Sequence, residues 1–162
     1  MTVSVSGGRN VKAQLRKMRD SLMGAPKVLV GVPRGAGSYK DGTNIATIAA
    51  VNEFGSEDGT IPERSAIRDG VAQAEPQIKK LYEKKASDVI NGDMDVKQLQ
   101  GLVGELAVGS IVGLIESGVS PANAQSTIDR KGSSKPLIDT GAYRQSITYR
   151  LSDKGEDIEE GL

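Results

Sequence analysis

With 162 residues, of which 37% are hydrophobic and 3% aromatic, the chain is long enough for one domain and hardly for two. Its 21 basic and 21 acidic residues cancel, so the overall charge gives no reason to expect binding to nucleic acid or to a membrane surface. The absence of cysteine and histidine excludes disulfides, thiolate nucleophiles and zinc–thiolate sites, and removes the commonest acid–base catalyst. A core with few aromatic side chains buries little area per residue, and we expect burial against copies of the same chain to offset this.

The N-terminal segment, residues 1–25, is predicted to form an amphipathic helix from about Asn10, a suitable N-cap, to Gly24. Its apolar positions recur at helical spacing, at Val11, Leu15, Met18 and Leu22. Eight basic residues and one acid between positions 9 and 40 give this part a net charge of +7. Such a stretch is most often a solvated helix face, and the alternative is a surface that meets an acidic patch on a neighbouring subunit or partner. The small, polar residues before it do not resemble a signal peptide, so we expect a cytosolic origin.

A strand, a glycine-rich loop and a short helix are predicted next. Residues 27–32 are rich in valine and bounded by prolines, which predicts a β-strand. Residues 34–42 contain three glycines and predict a mobile loop. A short helix is predicted over residues 45–53, ended by Gly55 and followed by a loop over residues 56–62.

Two long helices are predicted to follow. The first spans about residues 63–90, and Pro76 is expected to kink it or to split it in two. The second spans residues 95–117 and is expected to be a buried core helix, because its most apolar part is too short and too charged to cross a bilayer. Gly109 and Gly113 would let another backbone approach this helix closely, within the subunit or between subunits.

The last part of the chain is predicted to contain a long connection, a second strand and an acidic tail. Residues 117–136 are polar and lack periodicity, which is typical of functional or flexible loops. Residues 145–151 alternate between apolar and polar, which predicts a half-buried strand. Residues 152–162 carry five acids and one lysine, a net charge of −4, and are expected to be disordered or held only by a partner.

Two strand signals separated by helices indicate an α+β domain, with a small antiparallel sheet packed against two or three long helices. The sequence has no internal repeat and no evident domain boundary. Residues 1–162 are therefore predicted to form a single domain whose core is residues 26–151.

No pattern in the sequence predicts catalytic, cofactor or nucleotide chemistry. The glycine-rich loop lacks the Walker spacing, because Lys40 is followed by Asp41. Four carboxylates near the Gly55 turn could hold a divalent cation: Glu53, Glu57, Asp58 and Glu63. Their spacing matches no EF-hand loop, and acids beside a glycine turn are usually solvated. We expect no metal site, no cofactor and no enzymatic activity.

Four motifs stand in a fixed order along the chain. The strand at residues 27–32 is followed by Ala-Thr-Ile-Ala-Ala-Val-Asn-Glu-Phe-Gly at residues 46–55 and by Ile-Pro-Glu-Arg at residues 61–64. Pro-Leu-Ile-Asp-Thr-Gly-Ala-Tyr-Arg-Gln-Ser-Ile then occupies residues 136–147. This order resembles the neck, tail-component, tail-completion and head–tail joining proteins of long-tailed bacteriophages. Each motif is weak alone, and it is their order over most of the chain that argues against chance.

The resemblance implies a structural virion protein of the neck or tail, assembled in the host cytoplasm. Copies are expected to form a ring, by analogy a hexamer, that joins the head connector to the tail tube. The implied partners are connector or head-closure proteins, the tail terminator or the tail tube, and DNA that passes without specific binding; no membrane contact is implied. The alternatives are a tail terminator or head-closure protein of the same neck and, more distantly, a DNA-binding accessory protein or a cation-dependent hydrolase.

The motif residues are the candidates for structural or assembly roles: Glu53, Phe54, Gly55, Pro62, Arg64, Asp139, Thr140, Gly141 and Arg144. The single phenylalanine is expected to occupy an apolar pocket, and the glycine after it to adopt a positive φ. The Asp-Thr-Gly sequence is expected to cap a turn that orients Tyr143 and Arg144 before the last strand.

Arg64 needs a partner because it falls in the first turn of a helix, where the dipole disfavours a cation. We expect this partner to be a carboxylate, with Glu53 as the candidate. The pair would be either an ordinary structural ion pair or an element of assembly. Pro62 is expected to fix an extended approach to the same helix.

Overall fold

The structure, a computed structural model, describes residues 8–131, 136–137 and 141–152. The elements within these residues are, in order, α1 (Gly8–Met23), β1 (Lys27–Gly31), α2 (Ile45–Phe54), α3 (Ala66–Asn91), α4 (Val96–Ser117), α5 (Gln125–Lys131), α6 (Ala142–Gln145) and β2 (Thr148–Ser152). The predicted α+β class is confirmed, because the two strands form one antiparallel sheet and the long helices pack together.

The sheet joins the two strands that the sequence predicts. Val28 pairs with Leu151, and Val30 pairs with Tyr149. The second strand begins later than predicted, because Gln145 belongs to α6. The backbone N–H groups of residues 145 and 146 bond to the carbonyls of residues 141 and 142, which holds this segment in a helical turn.

The long helices α3 and α4 form an antiparallel hairpin. Gly92 ends α3 in the left-handed conformation, and Asp95 begins α4 with a capping box. Helix α3 is continuous through Pro76, so the expected split does not occur. The two helices approach each other closely at Gly70, where an added Cβ would lie 2.6 Å from the Cα of Ile111.

The sheet packs on α4 through a second close contact. Tyr149 lies over α4 where the helix has glycine: a Cβ on Gly104 would lie 2.2 Å from the Tyr149 Cδ2 atom. Gly101 is the next small residue along this face, with the Tyr149 hydroxyl 3.4 Å from its would-be Cβ. Only glycine at position 104 therefore allows the ring to lie flat on the helix.

The expected close approach within the subunit at Gly109 and Gly113 is wrong. Both residues are exposed, and an added Cβ at either would meet nothing within 4 Å. By length and mean hydropathy, 1.4 over its best window, α4 also resembles a membrane span. In this fold one face of α4 is buried, through Val96, Leu99, Val103, Gly104, Ala107, Ile111 and Ile115. That confirms the prediction that α4 contributes to the core.

A second part of the core lies between α2, α4 and α6. Ile111 and Ile115 of α4 are fully buried. The side chains packed around them are Val32, Ile45, Ala49, Ala66, Leu137, Tyr143 and Ile147. The described residues of the motif at 136–147 are thereby brought against the motif at residues 46–55.

Helix α1 is present as predicted. Every side chain that the structure describes on it is exposed, including the apolar Val11 and Leu15. The basic side chains described on the helix, Lys12, Arg16, Lys17 and Arg19, therefore face solvent in the isolated chain.

The two loops predicted as irregular contain regular features. In residues 34–42 the chain folds back, since the Tyr39 N–H bonds to the Thr43 carbonyl and the Ile45 N–H to the Gly37 carbonyl. Helix α5 lies within residues 117–136, where no helix is predicted from the sequence, because it is short and mostly polar.

Candidate functional site: the cleft around Arg64

The motif at residues 46–55 contacts the first turn of α3, which directly follows the motif at residues 61–64. The Glu53 carboxylate, in a residue only 7% exposed, accepts the backbone N–H of Ile67 at 3.0 Å and of Arg68 at 2.9 Å. Ser65, at the N-cap position itself, makes no side-chain capping bond. A carboxylate from α2 therefore satisfies the free N–H groups and opposes the positive end of the helix dipole.

The loop between these motifs is closed tightly by Gly55. This glycine has a φ of +78°, as predicted, and an added Cβ would lie 3.1 Å from the Ile61 carbonyl oxygen. The Ser56 N–H bonds to that same oxygen at 2.9 Å. The exposed Asp58 carboxylate accepts the hydroxyls of Ser56 and Thr60, which lower its pKa to about 2.

The expected ion pair between Arg64 and Glu53 is wrong. The Arg64 Nε donates to the Pro121 carbonyl at 2.8 Å, and Nη2 donates to the Ala122 carbonyl at 3.2 Å. The Glu53 carboxylate is already engaged by the N–H groups of α3, so the guanidinium reaches across to the segment before α5. Burial lowers the pKa of Arg64, which is 8% exposed.

Arg64 lines a cleft of about 900 Å³. The walls come from residues 39–43, the second half of α2, residues 60–64 and residues 121–127, with Tyr143 at the base. Two polar atoms of the lining are buried without a hydrogen-bond partner in the described part of the chain, the Asn123 Nδ2 and the Tyr143 hydroxyl. These two groups can donate hydrogen bonds that the described residues do not accept.

Tyr143 is the most deeply buried polar side chain of the cleft, with 2% of its surface exposed. Burial raises its pKa well above the ordinary value, and the nearby charges of Glu53 and Tyr39 act in the same direction. The phenol is therefore neutral over the physiological range and can serve as a donor.

The expectation of an apolar pocket for Phe54 is wrong, since this side chain is 73% exposed. The buried positions of α2 are Ile45, Ala49 and Glu53, spaced four residues apart on one face. Residue 54 follows the last of them by one helical step of about 100° and so faces outward. Ile61 and Pro62 are exposed on the loop that follows.

The four carboxylates considered for a cation are separated in the fold. Within the described residues, no cluster of three or more acidic side chains could hold a metal ion. Glu63 pairs with Arg68, Asp58 bonds within its own loop, and Glu53 faces the start of α3. These contacts support structural roles for the acids.

The C-terminal motif contributes a turn and a salt bridge. Gly141 has a φ of +83° and precedes α6, in agreement with a turn at this point. Arg144 pairs with Glu116 near the end of α4. Asp139 and Thr140 lie outside the described residues, so their predicted capping role stays a prediction.

The contribution of residues 121–124 to the site was missed from the sequence. A buried arginine needs acceptors, and the carbonyls that bond to Arg64 come from residues 57 and 58 positions further along the chain. No local pattern points to them. The Asn123 side chain, an amide within a polar stretch, gave no signal either.

Comparison with known proteins identifies no relative of this chain: no family model, no curated protein and no solved structure matches it significantly.

Proposed function

We propose that this chain is a structural subunit of the neck of a long-tailed bacteriophage. In this proposal copies form a closed ring, by analogy a hexamer, that joins the head connector to the tail and leaves a channel for DNA. The observation that carries it is the order of the four motifs, from residue 27 to residue 147. The second, third and fourth motifs all contribute residues to the lining of the cleft around Arg64, which supports interpreting them as one functional unit.

The exposed apolar side chains support an assembling subunit. Phe54 is 73% exposed and Ile61 38%, although both belong to the motifs and the chain has no other phenylalanine. The exposure of an apolar side chain within a motif is explained if a second subunit covers that side chain in the assembly. The same reasoning applies to Val11 and Leu15 on α1.

The role of the subunit would be mechanical. Of the motif carboxylates that the structure describes, Glu53 caps α3 and Glu63 pairs with Arg68, and the described residues hold no metal cluster. The tail-terminator and head-closure roles belong to the same class of ring and remain alternatives within this proposal.

Deleting the gene from the phage that encodes it tests the proposal. Free, DNA-filled heads beside finished tails, rescued by the gene in trans, would support a joining role. Overlong tails would support the terminator alternative within the same neck. Normal infectious virions would contradict the proposal.

Binding to duplex DNA is the second candidate, favoured by the exposed basic face of α1. It requires an affinity that falls steeply as the salt concentration rises. The neutral overall charge and the lack of aromatic side chains on α1 weigh against it.

A further inference from the structure

We propose that the cleft around Arg64 binds the acidic segment 153–162 of a neighbouring copy of this chain. This inference rests on the proposed ring, because it needs a second copy beside the first. It names the contact by which one subunit would hold the next.

The donors of the cleft call for an acceptor-only ligand. Among described residues Arg64 bonds only to backbone carbonyls, through Nε and Nη2, so its charge is not met by a carboxylate. Within the part of the chain that the structure describes, the buried donors Asn123 Nδ2 and Tyr143 hydroxyl also have no hydrogen-bond partner. A carboxylate accepts several hydrogen bonds and donates none, so it suits such a set of groups.

The charged groups at the rim do not oppose an anionic ligand. Lys40 is exposed at the edge of the cleft. Asp41 is the acid in the lining, and its carboxylate accepts the Thr43 N–H at 2.9 Å, which lowers its pKa. The charged side chains that line the cleft are therefore two cations, Lys40 and Arg64, and one acid, and the nearby Glu53 carboxylate is bonded to the N–H groups of α3.

The apolar part of the lining fits the same segment. Ile48, Val51 and Leu137 contribute aliphatic surface beside Arg64. In segment 153–162, Ile158 stands between Asp157 and Glu159, within a net charge of −4. An aliphatic side chain flanked by carboxylates matches a cleft that has aliphatic walls and cationic or donor groups.

The direction of β2 favours a neighbouring copy as the source. The strand leads away from Tyr143, from Thr148 to Ser152, and its five residues span about 16 Å. Ten further residues reach at most about 35 Å. A domain of this size has a radius of gyration of about 15 Å, so a tail of this reach is long enough to contact an adjacent subunit.

Disulfide trapping tests the inference in the full chain, which has no cysteine of its own. One variant carries Ile158→Cys, and a second carries Lys40→Cys at the rim of the cleft. The matched control for the second is Lys79→Cys, an exposed lysine of α3 that does not line the cleft. Equimolar mixtures are oxidised, and the disulfide-linked heterodimers are quantified while the mass of the assembly is measured in parallel.

The heterodimer with Lys40→Cys should form about tenfold faster than that with Lys79→Cys, because binding raises the local concentration of the tail cysteine. Replacing Glu156, Asp157, Glu159 and Glu160 by their amides in the Ile158→Cys chain should remove this preference. A ring without the preference would overturn the inference and leave the proposed function standing. A chain that stays monomeric would overturn both. A Lys40→Cys/Ile158→Cys double variant gives a further test. If its disulfide forms only within one chain, both at high dilution and in the assembly, the inference is also overturned.

Discussion

The carboxylate of Glu53 accepts the backbone N–H of Arg68 at 2.9 Å and thereby ties the end of α2 to the first turn of α3. With the bond from Ile67, this contact replaces the capping that Ser65 does not provide. Because Glu53 is buried, its loss leaves N–H groups of the helix start without a partner. The end of α2 thus contributes to the stability of the first turn of α3.

Replacing Glu53 by Ala should lower the free energy of unfolding by about 1–2 kcal/mol, the usual cost of a lost cap. Glu53→Gln keeps one accepting oxygen and should cost less. Urea unfolding measures both, with the exposed Glu57→Gln as the control, which should stay within about 0.5 kcal/mol of the wild type. Equal stabilities of Glu53→Ala and Glu57→Gln would contradict the capping role.

Replacing Gly104 by Ala should destabilise the fold by about 1–3 kcal/mol, because the new Cβ would overlap the ring of Tyr149. Gly109→Ala, in the same helix but in open space, should instead stabilise the monomer by about 0.5–1 kcal/mol. Thermal or urea unfolding gives the difference. A Gly104→Ala variant as stable as Gly109→Ala would show that Tyr149 does not lie on the helix as described.

Replacing Phe54 by Ser should leave the stability of the isolated subunit within about 0.5 kcal/mol of the wild type, because the ring is mostly in solvent. The same change should weaken assembly about tenfold or more if the ring is covered by a second copy. Sedimentation at several concentrations measures the second effect. Ile90→Ser, another exposed apolar residue outside the motifs, is the control. Unfolding of the Phe54→Ser monomer would contradict the exposed placement.

Replacing Tyr143 by Phe should change the dependence of stability on pH. The pKa of Tyr143 is raised in the folded chain, so its contribution is complete below the unfolded value of about 10 and is lost as the pH rises above it. The wild type should lose stability between pH 10 and 11 more steeply than Tyr143→Phe. Tyr82→Phe, at an exposed site, is the control and should follow the wild type. Identical curves for Tyr143→Phe and the wild type would contradict the buried phenol.

The sheet can be predicted from the sequence because each of its strands is marked by a local pattern of residues. Alternation in residues 145–151 and the valine run at residues 27–32 both mark strands, and pairing them was the simplest way to form a sheet. The same local reading failed at Phe54. The apolar character of a side chain indicates that it tends to be buried, but it does not indicate whether the same subunit or another subunit buries it.

No local sequence pattern predicts the partners of Arg64 or the glycines at which the close contacts occur. The carbonyls that bind Arg64 come from a distant segment of the chain. The carboxylate expected to pair with it, Glu53, instead caps the start of α3. Gly109 and Gly113 have the spacing of a packing face, whereas the actual close contacts use Gly70 and Gly104. Which glycine meets another backbone depends on how helices and sheet are arranged, and helical periodicity alone does not determine that.

The most direct test of the central claim is the mass and shape of the purified chain, measured by sedimentation and by negative-stain imaging over a range of concentrations. The account predicts closed rings of uniform copy number that are lost in Phe54→Ser. A monodisperse monomer at every accessible concentration, with no rings on the grid, would contradict it.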